Sequence, residues 1–395
     1  MNTASLAAGY LRARPLQTAL SLLLLALGAG TIVTLLLVVG QLEARMGRDA
    51  RGIDLVVGAK GSPMQLILSG IYQADAPTGN IPLATVQVLK KNKLVKKAIP
   101  LALGDSWKGY RIVGAEQEYA EHYGTQLRAG RFFDKPMEAV LGHEVAARTG
   151  AGIGARFAGA HGVGGEGEEH AEAYTVVGIL ERNDSVIDRL VLTSIESVWE
   201  VHHDQGGKQK GKEQEREVTV VLLQYASPLA AAMLPRQINA NSELQAASPA
   251  YETARLFRIV GAGVEALRAF AAVLMLAAGL SVFIALYTAL EERRYDLAVM
   301  RTLGASPARL FGLLLAEGLM LSLVGAVLGV ALGHGLAAAL GLWLDAQQQY
   351  PVSGLVFRVE ELWIVAVALA VGLAAALLPA WRAYRTDVAG TLSRG

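Results

Sequence analysis

Residues 16–40 read LQTALSLLLLALGAGTIVTLLLVVG. Whether this run is a cleaved leader or a permanent helix decides how the rest of the chain is arranged. Arg12 and Arg14 in front of it, with the leucines of 20–27, resemble the charged start and apolar centre of a secretory signal. The apolar run continues through Thr31 to Val39, past the roughly 7–15 residues of a signal core, and no small-x-small cleavage site follows closely. It is therefore read as an uncleaved anchor. Uncharged stretches of the same kind recur at 269–290, at 318–344 with only His334 interrupting, and at 362–381. Each reaches the roughly 20 residues that a helix needs to cross a hydrocarbon layer of about 30 Å. In lipid the backbone must satisfy its own hydrogen bonds, so each run is expected to be a helix.

The fold class that follows is an α-helical membrane protein with four transmembrane helices in a 1+3 arrangement. A large α+β extracytoplasmic domain is inserted between the first and second helices. Orientation comes from arginine placement, because cytoplasmic flanks retain Lys and Arg. Arg12 and Arg14 precede the first span, Arg293, Arg294, Arg301 and Arg309 fill the link between the second and third, and Arg382, Arg385 and Arg394 follow the fourth. Both termini are thus expected in the cytoplasm of a cell with the protein in its inner membrane. The expected layout is an interfacial helix at 1–15, spans at 16–40, 263–290 (with a stalk extension), 309–344 and 362–381, and the outer domain at 41–262. A cytoplasmic link helix occupies 291–308, a short outer loop 345–361 and a cytoplasmic tail 382–395.

Hydrophobic residues at 53% and charged residues at 18% mix a lipid-embedded part with an ordinary soluble one. A net charge of +1 supplies no field for nucleic acid, and the absence of cysteine means the outer domain holds together by a buried core rather than by disulfides. Within that domain, alternating apolar segments predict strands at 54–60, 94–103, 110–114, 139–142, 174–180, 190–193 and 218–224, with helices at 64–71, 83–91, 117–123, 144–149, 195–202 and 227–238. Two stretches, the glycine-rich acidic 159–173 and the charged 204–217, lack the apolar surface needed to offset ordering entropy and are read as loops. A helical pattern resumes at Tyr251 and runs toward the second span.

The most specific signal is the link, EERRYDLAVMRTLGASPARLFGLLLAEG at 291–318. Tyr295, Val299, Met300 and Leu303 recur at helical spacing beside charged Arg293, Arg294, Asp296 and Arg301. Gly304 reads as a helix stop, Ser306 as an N-cap and Pro307 as a first-turn residue. A solvated positive-inside turn would also explain the arginines. The stretch RRYDLAVMRTLGAS, followed by an apolar helix, resembles the permease signature of the FtsX, MacB and LolC/LolE group of ABC transporters, and the one-plus-three layout agrees.

That resemblance implies a coupling helix that docks into an ATPase, with Arg293, Arg294, Tyr295, Asp296, Met300, Arg301 and Gly304 as contact residues. It implies a MacB-like outer domain of two lobes, near 41–105 with 174–262 and the middle between. It implies a non-catalytic chain that works beside an ABC ATPase subunit holding ATP and Mg, as two permeases in a homodimer. The implied function is export or extraction of a lipoprotein, lipid or hydrophobic substrate; the alternative is an FtsX-like signalling permease that activates an outer enzyme without transport. Membrane lipid and a periplasmic or lipoprotein partner complete the expected contacts. No phosphate-cradling G-x-x-x-x-G-K-[ST] pattern occurs: GAKGS at 58–62 and GGKQKG at 206–211 lack the order.

Gly325, Gly329 and Gly333 stand four apart, a face on which another helix can approach closely, either within the chain or across a subunit seam. His334 is the ionisable group well inside the third span, with Glu317 and Arg268 near span ends. Finally, His161, Glu166, Glu168, Glu169, His170 and Glu172 cluster in one loop, and His202, His203 and Asp204 beside the other. His161, His170, His202 and His203 are candidate zinc ligands, linking the protein to metal transport or sensing. Their spacing matches no structural zinc motif, and a hydrated acidic loop is the ordinary alternative.

Overall fold

The computed structural model describes residues 3–162, 169–203, 216–346 and 352–385. The chain divides into two compact units, Met1–Leu42 with Val260–Gly395, and Glu43–Ile259.

The first unit is helical. It comprises α1 (Thr3–Arg12), the greater part of α2 (Pro15–Asp49), and, counted from the second unit onward, α9 (Pro249–Glu292), α10 (Arg294–Thr302), α11 (Pro307–Ala346) and α12 (Glu361–Tyr384). Four of these, α2, α9, α11 and α12, are long and apolar enough to cross a membrane. Their common core joins Leu25 of α2, Ala278, Val282 and Leu286 of α9, Leu310, Leu314 and Leu321 of α11 and Ala376 and Ala380 of α12. Small residues set the helix spacing, as lipid-immersed packing requires. A Cβ on Gly325 would lie 2.7 Å from Leu25 Cβ, one on Gly329 2.6 Å from Ala29 Cβ, and one on Gly333 2.6 Å from Val33 Cβ. The glycine face is therefore an intrachain seam between α11 and α2. A second seam pairs Gly318 and Ser322 of α11 with Gly372 and Ala376 of α12. Three helices outrun their apolar segments: α2 continues to Asp49, α9 already begins at Pro249, and α11 ends at Ala346. Polar helix formers such as QLEAR at 41–45 prolong a helix once it is nucleated.

The second unit follows the order β1 (Leu55–Ala59), α3 (Pro63–Gly70), β2 (Ile81–Pro82), α4 (Leu83–Lys91), β3 (Val95–Trp107), β4 (Tyr110–Ala115), α5 (Gln117–His122), β5 (Leu127–Gly130), β6 (Glu138–Leu141), α6 (His143–Thr149), β7 (Arg156–His161), β8 (Glu169–Leu180), β9 (Leu190–Thr193), α7 (Ile195–His203), β10 (Glu217–Val218), β11 (Val220–Tyr225), α8 (Pro228–Asn241) and β12 (Leu244–Ala247). One mixed sheet runs β12-β1-β11-β3-β4-β9-β6-β8-β5, with β7 bridging β3 and β8. The pairs β4–β9 and β6–β8 are parallel. Two hydrophobic cores lie along this sheet. One gathers Leu55, Val57, Val86, Val221, Leu223 and Leu234; the other gathers Ile112, Leu141, Val145, Tyr174, Val176 and Val191. The two expected lobes thus share a continuous sheet, and β8 and β9 belong to the middle core rather than to the first.

The glycine-rich 159–173 stretch is corrected by the structure at both ends, where β7 reaches His161 and β8 starts at Glu169. Gly159 is there for packing: a Cβ would meet Ile112 Cδ1 at 2.8 Å. Residues 163–168 and 204–215, including Glu166, Glu168 and Asp204, lie outside the described residues.

Candidate functional site

The link between α9 and α11 folds as its punctuation dictates. Helix α10 buries Leu297 and Ala298 against the bundle, with Met300 half-buried on the same core. Burying a leucine side chain stabilises by about 1.5–3 kcal/mol, enough to hold so short a helix in place. Gly304 takes φ +97°, the left-handed turn that a Cβ disfavours, and Ser306 Oγ accepts from the Arg309 amide at 3.3 Å ahead of Pro307. The outward face carries Arg294, Asp296, Tyr295 (54% exposed) and Leu303 (82% exposed), with Arg301 half-buried beside them. Leu303, which periodicity assigns to the apolar face, is thus among the exposed residues of the link. Arg294 is paired loosely with Glu291 at 3.2 Å.

Arg293 is placed differently from its neighbours. Its guanidinium stacks on the Tyr10 ring at 3.6 Å, and its Nη1 lies 3.5 Å from Glu317 Oε1. Glu317, which the sequence sets near a span end, is only 2% exposed and is held in an internal ion pair. A carboxylate held this deep needs a cation beside it, since removing one partner of a buried pair leaves an uncompensated charge. Arg293 therefore fastens α1 and α10 to the bundle, whereas Arg294, Tyr295, Asp296 and Leu303 are exposed and Arg301 is half-buried. His334 likewise has partners that the sequence hides: Nε2 lies 2.9 Å from Glu361 Oε2, and Nδ1 lies 2.6 Å from the Gly354 carbonyl.

A second constellation lies in the Glu43–Ile259 unit. His161 ends β7, His170 sits in β8 and His202 lies near the end of α7. The three imidazoles surround Asp105 of β3: His161 Nδ1 at 3.3 Å and His170 Nε2 at 3.1 Å from Oδ1, and His202 Nε2 at 3.4 Å from Oδ2. The His202 contact to Oδ2 is the longest of the three. Burial would push the Asp105 carboxyl up, but His202 and His170 hold it below its usual range, and Asp105 in turn raises His202. Asp105 escaped the sequence reading; its only signal is the polar interruption Gly104-Asp105-Ser106 in an apolar strand. The side chain of His203 lies outside the described residues.

Residues 18–241 match the family model described as MacB-like periplasmic core domain, and residues 268–388 the one described as FtsX-like permease C-terminal. Among solved structures, the extracellular domain of the noncanonic ABC-type transporter YknZ from Gram-positive bacteria is similar at 14% identity, covering 49% of this chain and 98% of that one, with a TM-score of 0.29. No curated protein matches the chain.

Proposed function

Because this chain belongs to the FtsX- and MacB-like family of ABC-transporter permeases, we propose that it is the membrane-spanning subunit through which a separate ATPase moves an extracytoplasmic domain, exporting or extracting a lipoprotein, lipid or other hydrophobic substrate. The observation that carries this reading is α10, a short helix anchored by its inner side and offering a charged and apolar outer face between two spanning helices. ATP binding is assigned to a partner subunit, in keeping with the missing phosphate-cradling pattern. Two permease copies work together in this reading, with α10 and both termini on the cytoplasmic side of the inner membrane, as the arginine bias favours. Closure of the ATPases then draws two α10 helices together. Helix α9, unbroken over Pro249–Glu292, serves as the lever.

The reading is tested by affinity purification of the full chain from its native membrane in mild detergent. The expected result is a co-purifying nucleotide-binding subunit whose ATP turnover rises when hydrophobic membrane extract is added. Recovery of a folded, dimeric chain with no nucleotide-binding partner would count against it.

A further inference from the structure

We propose that Asp105, His161 and His202 form a binding site for a zinc-class divalent cation, with His170 as the residue that holds Asp105 in place. The site is independent of the transport reading, and it draws on side chains that α10 and the spanning helices do not touch.

Convergence is the first argument. One ligand atom from each of Asp105, His161 and His202 lies within 4.8 Å of the others, although the residues come from β3, β7 and α7. The sheet register enforces this for two of them, since Asp105 and His161 are direct partners across the β3–β7 ladder. The separations of 3.3 and 3.4 Å to Asp105 are long for charge-assisted hydrogen bonds, which run at about 2.7–2.9 Å.

Unmet bonding capacity is the second. The Asp105 side chain is 1% exposed, yet its Oδ2 has no hydrogen-bond partner among the described residues. Its contact is the long one to His202 Nε2 at 3.4 Å, and a buried carboxylate oxygen held so weakly gains from a cation set between it and the flanking imidazoles.

Donor chemistry then selects the ion. Two imidazoles and one carboxylate suit zinc and its neighbours, whereas calcium and magnesium call for oxygen throughout. His170, with a fully buried side chain, donates from Nε2 to Oδ1, the kind of outer partner that orients a ligating carboxylate. His161 and His202 are 37% and 38% exposed and line a cleft of about 500 Å³ together with Asn80, Trp199 and Glu217. Three protein ligands with a fourth position open to this cleft describe an exchangeable site.

The test uses the tag-free full-length chain in detergent, stripped with chelator and titrated with zinc against a chromophoric competitor. Wild type is expected to take up a single tight equivalent. His170→Ala is expected to weaken it by about 10–100-fold, the range for loss of an outer-shell partner. The His161→Ala, His202→Ala pair is expected to abolish it, while His122→Ala, outside the cluster, leaves it intact. Cobalt(II) bound to wild type gives a readout that depends on no variant, the intense visible bands of a four-coordinate ion. Absence of saturable binding by wild type, tight binding retained in the double variant, or the weak spectrum of six-coordinate cobalt would each overturn the proposal.

Discussion

Reversing Arg294 and Arg301 together (Arg294→Glu, Arg301→Glu) is expected to detach the ATPase and to lower permease-dependent ATP turnover by about 30-fold or more. The estimate follows from like charges set against each other in an interface, which cost several kcal/mol, and from about 1.4 kcal/mol per tenfold in affinity. Folding should survive. Arg294 is exposed and Arg301 half-buried, and among the described residues the ion pair given up by Arg294 is the exposed one with Glu291. Such a pair contributes a few tenths of a kcal/mol. Pull-down of the ATPase, turnover in liposomes and the melting temperature of the variant are measured in parallel. Unchanged association and turnover with an unchanged melting temperature would remove α10 from the coupling path.

Gly329→Leu is expected to prevent the four-helix unit from assembling. At this position even a Cβ would sit 2.6 Å from Ala29 Cβ and 3.2 Å from the Ala26 carbonyl oxygen, and neither atom can swing aside. Gly329→Ala, the smaller intrusion, should lower stability by about 1–3 kcal/mol, the usual range for overpacking a close-fitting core. Gly335→Leu on the same helix, where a Cβ meets nothing within 4 Å, should behave like wild type. Fluorescence-detected size-exclusion melting separates these cases. If Gly329→Leu left the melting temperature intact and only split a dimer into monomers, the glycine face would be a subunit seam instead.

The spans were legible because sustained apolar composition has no other stable home, and α10 because Gly304, Ser306 and Pro307 each have a local job that residue type alone announces. Local signals do not report what comes together from afar. The α2 partner of Gly325, Gly329 and Gly333 is separated from them by some three hundred residues of sequence, so composition could say that the face was close-packed and not against what. Arg293 looked like its neighbours until Tyr10 and Glu317 were seen on either side of it. Asp105 became visible only when β7 paired with β3 and α7 brought His202 across. Strand β7 was missed for a related reason: its glycine and alanines suggest flexibility, while in the fold Gly159 leaves room for the Ile112 side chain. The two parallel pairings and the merging of two cores under one sheet depend on crossovers that hydrophobic alternation does not encode.

In the proposed arrangement α10 is an inner handle and the Glu43–Ile259 unit an outer head. The natural sequence contains no cysteine, so single cysteines give a clean background for a membrane-impermeant maleimide. Ile153→Cys tests the head, at a side chain 53% exposed, and Leu303→Cys tests the handle, at one 82% exposed. In intact spheroplasts residue 153 is expected to be labelled, and residue 303 only after the membrane is permeabilised. Equal labelling of both before permeabilisation would put handle and head on one side of the lipid and contradict this arrangement.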